Sequence, residues 1–245
     1  MPLLLLSMAP NPYFQFRQFR IVQDHCAMKV GTDGVLLGAW APCSSAHRVL
    51  DVGTGTGLLA LMVAQRNPLA LIDAVEIDAD SARQAAQNVS ASPWHDRIRI
   101  HCEEFQAFAS QSHGKYGLII SNPPYFRDAL RSPDTRRTSA RHDDCLPLEE
   151  LVRGVTMLLD EDGLFSVVMP VCEGALLTDL CLLGGLFLRR RTWVFPMRRS
   201  AQPKRVLMTF SPARGECGED QLVIEEDHRH EYSEDYRRLT EAFYL

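Results

Sequence analysis

From residue 48 onward, short apolar runs alternate with stretches in which apolar positions recur at helical spacing. Strands separated by helices of this length connect as parallel crossovers, so the pattern predicts an α/β fold, a mostly parallel sheet with helices on both faces. The seven predicted strands are RVLDVG, LIDAVEID, RIRIHC, YGLIISN, GLFSVVMP, LRRRTWVF and KRVLMTFSP, the last two an antiparallel C-terminal pair. The predicted helices are GLLALMVAQR, SARQAAQNVSA, LEELVRGVTMLL and GALLTDLCLL.

The segment before this alternation has a different pattern. FQFRQFRIVQD is typical of a strand or hairpin. TDGVLLGAW begins with Thr32 and Asp33, residue types that cap helix N-termini, and continues as an apolar run. We therefore predict an N-terminal extension and lid over residues 1–40, and one main domain with a C-terminal tail over residues 41–245.

Composition narrows the class of protein. A chain of 245 residues with 46% apolar and 23% charged residues is typical of a soluble globular protein. The seven cysteines are scattered without a C-x-x-C pair, which argues against a disulfide framework and against a structural zinc site. The opening MPLLLLSMAP is too short to span a membrane and lacks the basic flank of a signal peptide. We predict a cytoplasmic monomer that needs neither metal nor membrane.

Charge is distributed unevenly along the chain. The formal net charge of −5 argues against a protein that coats nucleic acid indiscriminately. Basic residues nevertheless cluster at 127–141 and 189–205, whereas acidic residues concentrate at 216–234. Such runs are usually solvated surface, but they also permit a local basic patch.

The stretch DVGTGTG, Asp51 to Gly57, follows a predicted strand and opens a predicted helix. Glycines at 53, 55 and 57 permit positive φ and close approach of a ligand to the backbone. The spacing differs from the dinucleotide fingerprint G-x-G-x-x-G, because Leu58 stands where its last glycine would be. It resembles motif I of class I S-adenosylmethionine-dependent methyltransferases. Glu76, at the end of the next strand, is suitably placed to bind ribose hydroxyls.

A second motif, SNPPYF, follows the apolar run YGLII. The prolines force a stiff, extended turn after the strand, which holds the Asn122 amide and the Pro123 carbonyl at the mouth of the sheet. Asn122 to Tyr125 resembles motif IV of amino-methyltransferases. That resemblance implies that Asn122 and Pro123 accept hydrogen bonds from the reacting amine while Tyr125 stacks on a planar substrate.

Longer segments resemble one family more closely. KVGTDGVLLGAW and the ending EYSEDYRRLTEAFYL look like the bacterial tRNA(Val) adenine-37 N6-methyltransferase family, and the resemblance extends over nearly the whole chain past residue 12. It implies a Rossmann-like class I methyltransferase fold with a seven-stranded sheet. It also implies S-adenosyl-L-methionine as cofactor, and N6 of the adenosine beside the anticodon of a valine tRNA as the target.

The resemblance also implies roles for individual residues. The expected cofactor-binding residues are Lys29, Thr32, Asp33, Asp51, Gly53, Gly55, Gly57, Glu76 and Glu104, with Glu103 as a further candidate at the adenine. The expected catalytic residues are Asn122, Pro123 and Tyr125. Expected contacts to the anticodon stem-loop come from Pro124, Arg127, Arg136, Arg137 and Arg141, with the basic run at 189–205 on the stem.

Other functions share parts of these motifs. A ribosomal RNA guanine N2-methyltransferase and a protein glutamine methyltransferase use similar turns, but they usually carry a second domain for which this chain has no room. A non-catalytic RNA-binding protein with the same fold is a further alternative. The intact glycine loop and Asn122 argue against it.

The first prediction concerns the arginines that follow the Asn-Pro-Pro turn. Replacing Arg136 and Arg137 by alanine is expected to weaken tRNA binding, because two cations that neutralise phosphates are lost, with little change in cofactor affinity. Filter binding with tRNA and calorimetry with the cofactor measure the two affinities. An equal loss of both would contradict the division of roles.

Overall fold

A computed structural model describes residues 12–24, 29–111, 114–124 and 146–244. Its strands are β1 (Tyr13–Gln15), β2 (Arg20–Val22), β3 (Arg48–Val52), β4 (Leu71–Glu76), β5 (Ile98–Cys102), β6 (Tyr116–Ser121), β7 (Leu159–Pro170), β8 (Phe187–Met197), β9 (Arg205–Ser211) and β10 (Gly218–Glu225). Its helices are α1 (Thr32–Trp40), α2 (Leu58–Arg66), α3 (Ala79–Ser90), α4 (Phe105–Ser110), α5 (Leu148–Leu158), α6 (Val171–Leu183) and α7 (Glu234–Thr240).

The main sheet has eight strands in the order β10-β8-β9-β7-β6-β3-β4-β5. The strands from β7 to β5 run parallel, β9 lies antiparallel between β7 and β8, and β10 pairs parallel with β8. The α/β class and the antiparallel C-terminal pair are confirmed. The predicted count of seven strands is wrong by one, because β10 (GEDQLVIE) is too acidic to be recognised as a strand from its sequence.

The acidic strand is held by the basic one beside it. Arg190 pairs with Asp220 at 3.0 Å and Arg191 pairs with Glu219 at 3.2 Å, across the parallel β8–β10 ladder. Just beyond the strands, Arg198 pairs with Glu226. Much of the basic run at 189–205 is therefore neutralised within the protein, which reduces the charge it offers to the tRNA stem that the sequence analysis assigned to it.

Adjacent strand residues divide between two hydrophobic clusters. Val49 and Ile120 pack with α1 and α2, whereas Leu50 and Ile119 pack with α4, α5 and α6. Side chains alternate between the faces of a strand, so this division covers both faces of the sheet with helices. The sheet is thereby buried on both sides, with its loops left at the strand ends.

The N-terminal segment packs onto this core. β1 and β2 form an antiparallel hairpin, one of the two forms that the sequence predicted, and the backbone N–H of Arg17 in its turn donates to the carbonyl of Phe243 at 2.9 Å. Helix α1 shares a hydrophobic cluster with α2. The lid role of residues 1–40, and the boundary at residue 41, remain predictions.

The start of α1 differs in detail from the prediction. Its N-cap is Gly31, without a side-chain capping bond, so neither Thr32 nor Asp33 caps the helix. The Asp33 carboxylate instead accepts from Arg205 Nε at 2.8 Å. A long-range ion pair, which sequence spacing could not indicate, has taken the place of the local cap.

Helices α1 and α2 meet closely at Gly38. A Cβ built there would lie 2.5 Å from Met62 Sδ and 3.0 Å from Met62 Cβ, and Met62 is fully buried. Gly38→Ala is therefore expected to destabilise the protein by about 1–3 kcal/mol, despite the better helix propensity of alanine. Urea unfolding measures this change. Adding Met62→Ala should relieve part of the cost, and strictly additive effects would contradict a clash between the two residues.

Candidate functional site

The glycine loop after β3 has the conformation that its sequence predicts. Gly53, Gly55 and Gly57 have φ values of +71°, +57° and +84°. A Cβ at Gly53 or Gly55 would meet nothing within 4 Å, whereas one at Gly57 would reach Ala85 Cβ at 3.5 Å. The first two glycines therefore border open space in which a ligand can approach the backbone, and the third lets α2 start against α3.

Glu76 at the end of β4 holds this loop. Its Oε2 accepts from the Gly55 N–H at 2.8 Å, and its Oε1 accepts from the Asp78 N–H at 3.0 Å. The Val75 carbonyl accepts from the N–H groups of Gly53 and Thr54 at 2.9 and 3.0 Å. Each Glu76 oxygen keeps a second lone pair for a hydroxyl donor, and the side chain is partly exposed.

Asp51 lies beneath the loop and is fully buried. Its Oδ2 accepts from Thr54 Oγ1 at 2.5 Å and from the Ala60 N–H at 3.2 Å. Its Oδ1 has no hydrogen-bond partner within the described part of the chain. Burial, opposed in part by these hydrogen bonds, raises the pKa of the Asp51 carboxyl to about 7. A ligand that brings positive charge to the loop would favour its ionised form.

The Asn-Pro-Pro turn lies beside the glycine loop because β3 and β6 are neighbours. Ser121 Oγ donates to the Val52 carbonyl at 2.8 Å, joining the last residue of each strand. Asn122 follows directly and is partly exposed. A Cβ on Gly34 would lie 3.7 Å from Asn122 Nδ2, so the first turn of α1 lies next to this point.

The remaining predicted residues divide into three groups. Glu103 and Glu104 follow β5, where Glu103 Oε2 accepts from Gln111 Nε2 at 2.7 Å and Glu104 is exposed. Lys29 and Thr32 are exposed at the start of α1, where Asp33 is engaged by Arg205. Five predicted residues lie outside the described part of the chain: Tyr125, Arg127, Arg136, Arg137 and Arg141.

Two residues of this site escaped the sequence analysis. Gly34 is part of the quoted KVGTDG segment, yet only the packing shows why it is small: a Cβ there would lie 2.9 Å from Leu58 Cδ2. Arg205 was counted within a basic run, and its partner Asp33 is 172 positions away along the chain. No local signal identifies such a pair.

No group of three or more histidine, cysteine or acidic side chains suited to hold a metal ion occurs among the described residues. Over the same ranges, every helix is too short or too polar to cross a membrane.

The chain is similar to known proteins over most of its length. A family model described as the methyltransferase small domain matches residues 28–169, more than half of the chain. A tRNA1(Val) (adenine(37)-N6)-methyltransferase from Bacteroides fragilis is 48% identical over 96% of this chain and 98% of its own. The protein of the same name from Salmonella enteritidis is 47% identical over 95% of this chain and 94% of its own.

Solved structures share the fold at low sequence identity. A predicted O-methyltransferase from Agrobacterium tumefaciens has a TM-score of 0.65 at 20% identity, covering 86% of this chain and 96% of that one. The CcbJ methyltransferase from Streptomyces caelestis has a TM-score of 0.54 at 14% identity, covering 75% and 91%. These likenesses concern the fold alone.

The raised pKa of Asp51 predicts a pH-dependent stability. Because the folded-state pKa of about 7 exceeds the ordinary value of 3.8, the folded protein binds the proton more tightly, so this contribution to stability is present below pH 4 and is lost as pH rises through 7. Asp51→Asn should remove that loss. The variant should gain stability relative to the parent between pH 5 and pH 8, measured by urea unfolding without ligand.

A matched control is Asp78→Asn. Asp78 caps α3 through a hydrogen bond from the Ser81 N–H, which lowers its pKa. Asparagine also caps well, and the titration of Asp78 lies below this range, so the Asp78→Asn difference should not change between pH 5 and pH 8. Parallel pH profiles for Asp51→Asn and the parent protein would show that Asp51 does not titrate there.

Proposed function

This chain belongs to the methyltransferase small-domain family and to the tRNA1(Val) (adenine(37)-N6)-methyltransferases, and we propose that it methylates N6 of adenosine-37 in the anticodon loop of tRNA(Val). The methyl donor would be S-adenosyl-L-methionine. The observation that carries the proposal is the junction of the glycine loop and the Asn-Pro-Pro turn, which the Ser121–Val52 hydrogen bond holds together at 2.8 Å.

The residues of the loop fit the proposed cofactor. Open space beside Gly53 and Gly55 leaves room for a ligand against the backbone, and the buried Oδ1 of Asp51 supplies an acceptor without a partner among the described residues. Glu76 retains lone pairs for ribose hydroxyls. When bound, S-adenosylmethionine supplies an electrophilic methyl group on a positively charged sulfur.

The remaining cofactor contacts are proposed by family resemblance. Gly57, the N-cap of α2, would complete the glycine loop around the cofactor. Glu103 and Glu104 follow β5 and would contact the adenine of the cofactor. Lys29, Thr32 and Asp33 would lie at the methionine end. In that arrangement Asp33 keeps its ion pair with Arg205, and this pair fixes the first turn of α1.

The catalytic step asks the protein to make a poor nucleophile react. The lone pair of an exocyclic adenine nitrogen is delocalised into the ring, so the nitrogen is planar and weakly nucleophilic. We propose that Asn122 Oδ1 and the Pro123 carbonyl oxygen accept hydrogen bonds from its two N–H groups. Such acceptors favour a pyramidal nitrogen whose lone pair is directed toward the methyl group. Because the prolines stiffen the turn, both acceptors are in place before the reaction.

The proposed target suits a site at a strand end. A base in an anticodon loop is already single-stranded, so placing it in a pocket costs less than extruding it from a duplex. Tyr125 would stack on the base next to Pro124, and Arg127, Arg136, Arg137 and Arg141 would bind loop phosphates. Pro124 lies within the described ranges, whereas Tyr125 and the four arginines lie outside them.

Methyl transfer from labelled S-adenosylmethionine tests the function directly. The substrate is total tRNA from cells that lack the gene, and nucleoside mass spectrometry identifies the product. N6-methyladenosine at position 37 of tRNA(Val) is the expected result. Label found instead in ribosomal RNA or in a release factor would support the amino-methylation chemistry but contradict the proposed substrate.

Asn122 provides the sharper test of mechanism. Asn122→Ala removes one acceptor to the reacting amine and is expected to lower kcat by about 100-fold or more. Cofactor affinity, measured by calorimetry, should change by less than about twofold, because the cofactor loop is intact. Asn122→Asp is the matched control, since it keeps an acceptor oxygen at the same position and should retain more activity than alanine. Unchanged turnover in Asn122→Ala would exclude Asn122 from the mechanism.

A further inference from the structure

A large cavity opens next to the candidate active site. This cleft, of about 1120 Å³, lies between the N-terminal hairpin, the start of α1, the start of β9 and the C-terminal helix α7. We call it the C-terminal cleft and define it by Asp33, Lys204, Arg205, Arg229, Tyr232 and Arg237. It contains none of the residues of the glycine loop, and it borders the proposed methionine end of the cofactor site at Thr32 and Asp33.

The cleft continues the edge of the sheet that carries the active site. β6 ends at Ser121, directly before Asn122, and beyond it in the sheet lie β7, β9, β8 and β10. Arg205, the first residue of β9, pairs with Pro170 at the carboxyl end of β7. Thr32 and Asp33 line the cleft, and Gly34, next in the chain, lies beside the Asn122 side chain. A chain that leaves the active site along this edge therefore enters the cleft.

The charge of the cleft is opposite to that of the whole protein. Among the described residues, its lining contains five lysine or arginine side chains and three acidic ones, whereas the chain has a formal net charge of −5. Asp33 is already paired with Arg205. Lys204, Arg229 and Arg237 are exposed at its surface. A local excess of cations in an acidic protein favours a polyanionic ligand at this place.

The cleft also presents an aromatic platform. The rings of Tyr232 and Tyr236 are stacked, with centroids 5.0 Å apart and planes at 27°. Tyr236 is buried, and its hydroxyl donates to that of Tyr244 at 3.3 Å, whereas Tyr232 is 38% exposed. A ring supported from behind and exposed in front is suited to stack on a nucleic-acid base.

The turn before α7 holds these groups in place. His230 has a φ of +68°, which is uncommon outside glycine, and its N–H donates to Glu225 Oε1 at 2.9 Å. The Ser233 N–H donates to the Ile224 carbonyl at 2.9 Å, and the Ser233 hydroxyl caps α7 by accepting from the Tyr236 N–H at 3.1 Å. Arg229 and Tyr232 are thus carried by a turn anchored on both sides.

We propose that the C-terminal cleft binds the single-stranded nucleotides that flank the target adenosine. One base stacks on the exposed face of Tyr232, and the adjoining phosphates lie against Lys204, Arg229 and Arg237. Basic side chains that follow the backbone, combined with a stacking ring, form the usual site for single-stranded nucleic acid. The proposal rests on the proposed function, since it requires an RNA substrate with unpaired bases around the target.

The test compares three variants with the parent protein, using a labelled anticodon stem-loop RNA. The double variant Arg229→Ala with Arg237→Ala should weaken RNA binding about tenfold or more. The plot of log affinity against log salt concentration should become less steep by about 1.4, because two phosphate contacts to single-stranded RNA are lost. Tyr232→Ala should weaken binding about fivefold or more, and Tyr232→Phe, which keeps the ring, should bind like the parent. All should bind S-adenosylmethionine with unchanged affinity.

Arg99→Ala is the matched control, because Arg99 is exposed on β5 at the opposite edge of the sheet. It changes the net charge by one without touching the cleft and should leave RNA affinity unchanged. Thermal unfolding of every variant separates lost binding from lost folding, and Tyr232→Phe and the double arginine variant keep the test decisive if Tyr232→Ala unfolds.

Two failures are distinguishable. If the parent protein methylates tRNA and the cleft variants bind RNA as it does, the cleft proposal is wrong and the proposed function stands. If the parent protein neither binds nor methylates any tRNA, both are overturned. A loss of affinity in Arg99→Ala equal to that of the cleft variants would mean that binding depends on total charge, which also contradicts a specific cleft.

Discussion

Parallel pairing of β3 with β6 is the constraint on which the site depends. Each strand ends in a loop that has little chemistry by itself: one is three glycines with positive φ, the other an asparagine followed by two prolines. The ladder, completed by the Ser121–Val52 hydrogen bond, brings the two loops to one edge of the sheet. Ligands of open α/β folds bind at the carboxyl ends of the strands, and the glycine loop and the Asn-Pro-Pro turn are neighbours there.

Asp51 shows what this arrangement costs the protein. A fully buried carboxyl with a pKa of about 7, one of whose oxygens has no partner among the described residues, disfavours the folded state once it ionises. A leucine or valine in its place would avoid that cost, but it could not accept the Thr54 and Ala60 hydrogen bonds that shape the loop. In the proposed function, the positive charge of the cofactor compensates the ionised form. The local instability is therefore consistent with a site preorganised for a cationic ligand.

Charged residues of the C-terminal half have two roles: some neutralise one another within the sheet, and others form a basic surface. Arginines of β8 and acidic residues of β10 neutralise one another along a ladder, so a highly charged sheet edge is internally compensated. Lys204, Arg229 and Arg237 lie outside that ladder and surround the C-terminal cleft. A protein with net negative charge can in this way offer a confined basic surface without binding polyanions over its whole exterior.

Sequence alone determined what is encoded locally. Periodicity predicted the α/β class, the N-terminal hairpin and the antiparallel pair, because alternation and helical spacing follow from backbone geometry. Gly53, Gly55 and Gly57 permit the positive φ that all three adopt, and the prolines after Asn122 predicted the end of β6. Likeness of longer segments then identified the family, which the relatives confirm.

Tertiary structure decided everything that depends on residues distant in the chain. The acidic segment at β10 forms a strand because basic side chains of β8 supply counter-charges. Asp33 has a residue type that caps helices, but in the structure it pairs with Arg205. A side chain at Gly34 is excluded by Leu58, whose Cδ2 would lie 2.9 Å from a Cβ built there, and the stacked Tyr232 and Tyr236 form a platform only because the cleft lies in front of them. These features are contacts between surfaces that meet on folding, and no local pattern records which surface a residue will meet.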